Sequence, residues 1–166
     1  AIDSMLDLLV SVLNFFAIRK SQAAPDAKFN FGYAKLEALA AMFEGVLIVG
    51  AGAFILYESV RKLQMEQAPV DTAFSLYAMA LSVAVTGLLV AYLSRVARRT
   101  RNLIVRADAL HYKSDLFSNL AVIASLILVE FTGFAAIDAV FGIVISGYIA
   151  VSAINLMKES VGVLLD

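Results

Sequence analysis

Two pairs of ionisable residues interrupt stretches that are otherwise built for hydrocarbon. Asp3 and Asp7 stand four apart in "AIDSMLDLLVS", and His111, the sole histidine, stands four before Asp115 in "RADALHYKSDLFSNLAVIASLILVEF". On a helix, residues i and i+4 share one face, a turn apart. Each stretch therefore presents two ligating side chains in a column. Packed face to face, the columns supply three carboxylates and one imidazole. Zn²⁺ accepts histidine nitrogen and aspartate oxygen in tetrahedral geometry. Carboxylates with a single imidazole also suit Mn²⁺ or Fe²⁺. Fully ionised, the set carries about −3, and crowded like charges favour proton uptake. Lys113 is the sole cation within these two spans, and it points elsewhere on its helix. An empty site should thus hold protons that a divalent ion displaces, which is a physical basis for metal–proton exchange. Taken singly, each residue also has a structural reading. Asp3 fits an interface, and Asp115 fits pairing with a backbone group or with Arg106. Two i,i+4 pairs in two separate spans favour the site.

An ionisable side chain at mid-membrane costs about 2.5–3.5 kcal/mol on insertion scales, so it faces a cavity or a partner. The elements that carry these residues are helices. The chain has 166 residues, 61% hydrophobic and 16% charged, with a mean hydropathy of +0.86. Soluble domains carry about 45–50% apolar and about 25% charged residues, so this is an integral membrane protein in contact with the lipid bilayer. Five segments have the length of a spanning helix, roughly 20 apolar residues: 1–18, 36–60, 72–94, 108–131 and 137–157. No period-2 pattern competes with them, which predicts an all-α polytopic bundle. No cysteine is present, which excludes disulfides and thiolate metal sites. The net charge of −1 gives no basic field for nucleic acid. The opening "AIDSMLDLLV" has no basic n-region, unlike a signal peptide, and reads as the middle of a helix in a longer protein.

Basic residues set the orientation. Arg19, Lys20, Lys28 and Lys35 follow the first span; Arg95, Arg98, Arg99, Arg101 and Arg106 follow the third; Lys158 ends the last. Only Arg61 and Lys62 lie on the other side. The basic side is expected in the cytoplasm. A further helix upstream would bring the N-terminus there too and make six spans.

Other polar residues extend the same faces. Asn14 lies seven beyond Asp7, and Asn119 four beyond Asp115; with Ser11 and Ser118 they line a wet path or make interhelical hydrogen bonds. Glu44 lies mid-span with Glu37 two turns earlier, and packing is the favoured reading for both. Asp138 opens the last span, where capping is the default, and Glu130 is expected at an interface. Gly45, Gly50 and Gly52, and the series Gly142, Ser146, Ala150, are spaced for close helix contact.

These residues resemble the cation diffusion facilitator family. "RADALHYKSDLFSN" resembles its fifth-helix signature, "AIDSMLDLLVS" its second helix, and "FNFGYAKLEALAAMFEG" its second-to-third connection. "AIDAVFGIVISGYIAVSAINLMKESVGVLLD" resembles its sixth helix running toward a cytoplasmic domain. The resemblance covers essentially the whole chain in order. It implies homodimers of six-span protomers in the bacterial inner membrane that export divalent metals by alternating access and proton antiport. The chain would then be the transmembrane domain over 1–166, without the first helix and the C-terminal domain. The transport ligands carry over to Asp3, Asp7, His111 and Asp115, a set that resembles the zinc and cadmium branches. All-aspartate versions are tied more often to iron or manganese. A second family metal site, in the loop after the second helix, maps to Asp26, Phe29 and Tyr33; two of its three ligands are gone, so no metal is expected there. Lys35 matches a basic residue that pairs with an aspartate after the sixth helix, for which Asp166 is the candidate.

The expected function is therefore zinc efflux, with Cd²⁺, Fe²⁺ and Co²⁺ as other candidate cargoes. Imidazole gains and loses protons in the physiological pH range, which makes His111 the natural proton carrier. A non-transporting scaffold of the same fold is the alternative; three intramembrane aspartates argue against it. An intramembrane hydrolase lacks its machinery: there is no HExxH, no cysteine and no second histidine.

Overall fold

The apolar runs form five α-helices, and the described residues contain no strand: α1 (Ile2–Ser21), α2 (Ala34–Lys62), α3 (Thr72–Thr100), α4 (Leu103–Thr132) and α5 (Ala136–Leu165). The computed structural model describes residues 2–22, 34–63, 72–134 and 136–165, with side chains from Leu8 in α1, Lys35 in α2 and Met79 in α3. Within them α2, α3, α4 and α5 are long and apolar enough to cross a membrane. A 30-residue helix such as α4 or α5 is about 45 Å long, against a hydrocarbon thickness of about 30 Å. The helices outrun the apolar segments accordingly. α3 continues from 94 through "RVARRT" to Thr100, α4 begins at Leu103 rather than 108, and α5 runs on to Leu165. The extra turns carry Arg98, Arg99, Arg106 and Lys158, residues suited to the headgroup layer.

The α3–α4 turn shows why one long helix became two. Arg101 takes a left-handed conformation (φ 54), and its amide still bonds back to the Ala97 carbonyl at 2.9 Å. Asn102 then caps α4, its side chain accepting from the Val105 amide at 3.0 Å. The next free amide, that of Leu103, donates to Glu37 Oε1 of α2 at 2.6 Å. Both caps satisfy amides that have no partner inside the helix. At its other end α4 stops at Gly133, which is left-handed (φ 70) and donates to the Val129 carbonyl at 2.7 Å.

The antiparallel pair α2–α5 is the largest interface; α4 packs on α2, α3 and α5, and α1 on α2. Its interior is made of small side chains, with Ala38, Ala41, Ala107, Ala139 and Ala153 fully enclosed around Ile48, Ile104 and Ile149. Many of the large apolar residues point outward: Leu8, Phe54, Leu88, Tyr92 and Phe131 are all exposed. In water this would be inside out; in lipid it is the expected arrangement, because helix association there depends on close contact between small residues. Gly142 shows the tolerance: a Cβ there would run into the Ser59 side chain of α2. A Cβ on Gly45 would lie 2.7 Å from Met157 Cγ. Gly50, expected in the same role, faces open space.

Candidate metal centre and the polar core

α4 carries His111 and Asp115 on consecutive turns, with His111 Nε2 3.7 Å from Asp115 Oδ2. Two ligands about 2.1 Å from a tetrahedral Zn²⁺ lie about 3.4 Å apart. The pair is thus within a few tenths of an ångström of the spacing that a shared ion requires. The His111 side chain is 32% exposed and that of Asp115 53%, so both reach a surface from which an ion can arrive. Lys113, two residues on, points away from them: its ammonium donates to the Tyr148 hydroxyl of α5 at 2.7 Å. Arg106, a possible partner for Asp115, pairs instead with Glu159. Asp3 and Asp7 occupy the first turns of α1; their side chains lie outside the described residues, as do Asp26, Phe29, Tyr33 and Asp166.

Below His111, toward the basic end of the bundle, three polar side chains converge from three helices. Asn14 of α1 donates through Nδ2 to Glu44 Oε2 of α2 at 2.9 Å and to Asp108 Oδ1 of α4 at 2.8 Å. Asn14 and Glu44 are almost wholly buried, Glu44 at 2% exposure, and Glu44 Oε1 has no hydrogen-bond partner. Asn14 therefore makes an interhelical bond, one of its two expected roles. Glu44, read from the sequence as packing, is instead a member of a buried polar cluster. Asp108 stands where the apolar run begins, a place where a charged residue is ordinary. Its signal was its spacing: it lies seven residues before Asp115, as Asn14 lies seven after Asp7, and seven residues are two turns on one face.

On the other side of His111 a cavity of about 310 Å³ lies between α2, α4 and α5, and Asp115 and Ser118 line it together with Glu58, Lys62 and Asp138. The Ser118 hydroxyl is buried without a hydrogen-bond partner. At the rim, Lys62 Nζ lies 2.6 Å from Asp138 Oδ2, and Ser125 Oγ donates to Asp138 Oδ1 at 2.9 Å. Asp138 thus stands in the first turn of α5, as expected, and also ties three helices together. At the basic end Lys35 Nζ reaches the Leu164 carbonyl at 3.0 Å, two residues short of Asp166.

Comparison with known proteins agrees with this architecture. Residues 1–165 match the cation efflux transmembrane domain family. The chain is 33% identical over 165 residues to the cation-efflux pump FieF of Yersinia enterocolitica, covering 99% of this chain and 55% of the relative. It is 34% identical to the pump of the same name from Serratia proteamaculans, again over 99% and 55%. Protein p34 of Rickettsia rickettsii is 35% identical over 99% of this chain and 54% of its own length. The chain spans about half the length of the curated relatives it matches. With its long apolar helices, this makes it a multi-pass protein of the bacterial cell membrane. The chain belongs to the cation efflux family, of which it is a transmembrane domain.

Proposed function

We propose that this chain is the membrane part of a divalent metal/proton antiporter that exports Zn²⁺ by alternating access, with Asp3, Asp7, His111 and Asp115 as the ligands. The observation that carries the reading is the His111–Asp115 pair: two metal-ligating groups 3.7 Å apart on a membrane-spanning helix. Membership of a cation efflux family supports transport as the use of that pair. Imidazole nitrogen beside carboxylate oxygen favours zinc, with Cd²⁺, Fe²⁺ and Co²⁺ as further cargoes. Zinc enters from the basic, cytoplasmic end, passes the Asn14–Glu44–Asp108 cluster and displaces protons from the four ligands. The bundle then opens toward the cavity beyond Asp115, where incoming protons return to His111 and the carboxylates and release the ion. The relatives are about twice as long as this chain, which leaves room for the sixth span and the cytoplasmic domain of a homodimeric protein.

Transport in proteoliposomes tests this. With the full-length protein, zinc uptake driven by a pH gradient should fall to background in His111→Ala and in Asp115→Ala. Wild-type rates in both variants would overturn the site, and zinc flux unaffected by collapse of the pH gradient would overturn proton coupling.

A further inference from the structure

We propose that the groove over α4 between α3 and α5, at the basic end of the bundle, binds the phosphate headgroup of an anionic phospholipid. The groove is a cavity of about 470 Å³, and three cations and three hydroxyls line it: Arg98 and Ser94 from α3, Arg106 and Lys113 from α4, Tyr148 and Ser152 from α5. It exists because α3 and α5 both pack on α4, leaving a channel over the helix between them.

Two of the three cations in this groove lack a carboxylate partner among the described residues. Arg106 pairs with Glu159. Arg98 has only the Ser94 carbonyl, at 3.3 Å from its Nε. Lys113 has only the Tyr148 hydroxyl and the ring faces of Phe117 and Tyr148, at 5.5 and 5.3 Å. Neither Arg98 nor Lys113 has a carboxylate partner among the described residues. Lys113 also lies ten residues into α4, about 15 Å along the helix. An ammonium at that depth is costly without an anion, and its long stem lets it reach back toward the interface. Arg98, in the last turn of α3, marks the headgroup level. A phosphate placed between them meets a planar guanidinium fork, an ammonium and hydroxyl donors. Basic pockets between spanning helices on the cytoplasmic side have the chemistry that anionic headgroups require. A soluble anion would satisfy the charge equally but has no acyl chain to lie along the apolar flanks of the helices, which is why we assign the groove to a lipid.

The full-length protein in neutral detergent tests the assignment. Phosphatidylglycerol should raise its unfolding temperature, as a ligand of the native state does, and should stay bound in native mass spectrometry. Phosphatidylcholine and inorganic phosphate should do neither. Arg98→Gln with Lys113→Gln should weaken phosphatidylglycerol binding about thirtyfold, at roughly a factor of five for each basic residue. Should the double variant misfold, Arg98→Gln alone, at an exposed helix end, should weaken it about fivefold. Equal stabilisation by phosphatidylcholine, equal protection by inorganic phosphate, or unchanged affinity in a folded variant would each overturn the proposal.

Discussion

Asn14 and Asp108, ninety-four residues apart, meet in the middle of the bundle through a 2.8 Å hydrogen bond, and the same amide nitrogen holds Glu44 at 2.9 Å. One donor group serving two carboxylates from two other helices is an asymmetric arrangement. It brings two acidic groups together in a place where full ionisation of both is unfavourable. It also leaves Glu44 Oε1 without a partner.

The asymmetry sets the sign of the mutations. Glu44→Gln replaces one of two facing acids with a group that donates, so it should be neutral or stabilising. Asn14→Ala removes the shared donor from two buried acceptors and should cost about 1–3 kcal/mol. Glu44→Ala relieves one acid but leaves a void. Thermal unfolding in detergent ranks the three; destabilisation by Glu44→Gln as large as by Asn14→Ala would contradict this account of the cluster.

The spacing of that cluster shows how far the sequence could be read. All five helices were legible, since each needs only a long apolar run and the basic residues fall at one end. The chemistry on α4 was legible as well, because a histidine and an aspartate one turn apart stand out in hydrocarbon. Asp108 did not stand out: a charged residue at the edge of an apolar run is ordinary at an interface, and only the extension of α4 back to Leu103 places it inside the bundle. Asp138 was legible in part: it stands in the first turn of α5, as expected. Its position at a helix start is what a cap looks like, whereas its partners, Lys62 and Ser125, belong to other helices. Which helices become neighbours is a tertiary fact that local propensity does not contain.

The His111–Asp115 pair predicts a binding signature independent of transport. Calorimetric titration of the full-length protein with Zn²⁺ should give heats that differ between buffers of different ionisation enthalpy, because metal binding releases protons. Asp115→Ala removes one of the four proposed ligands, so its affinity should fall by at least about 100-fold, the upper range seen when even an outer partner of a metal ligand is lost. Equal affinity in the two proteins would remove Asp115 from the site.

The α2–α5 contact predicts opposite effects for two glycines, one inside it and one outside. Gly142→Ala drives a methyl group into Ser59 and should destabilise by about 1–3 kcal/mol, as overpacking does. Ser59→Gly in the same chain should restore most of the loss, since it removes the atoms in the way. Gly50→Ala meets nothing and should be neutral or stabilising by up to about 1 kcal/mol, from the helix preference of alanine over glycine. Equal losses at the two positions, measured by thermal unfolding, would mean that small size is needed for some reason other than helix approach.

The Lys62–Asp138 pair lines the cavity that Asp115 also lines. It joins α2 to α5, and Ser125 joins Asp138 of α5 to α4, so the two contacts hold these three helices together at this end of the bundle. If the ion leaves on this side, the contacts must break once per cycle. Asp138→Asn keeps an oxygen for the Ser125 hydroxyl but loses the charge facing an ammonium that is 46% exposed. The cost to stability should therefore be small, about 1 kcal/mol or less after solvent screening. If opening this end parts the pair, the effect on conformation should be larger than the effect on stability. In Asp138→Asn, a cysteine placed at Ser118, whose hydroxyl is buried, should react with a water-soluble thiol reagent severalfold faster than in the parent chain carrying the same cysteine. These 166 residues contain no other cysteine to compete for the reagent. An unchanged labelling rate in a folded Asp138→Asn protein would show that the pair braces the helices without governing access to the cavity.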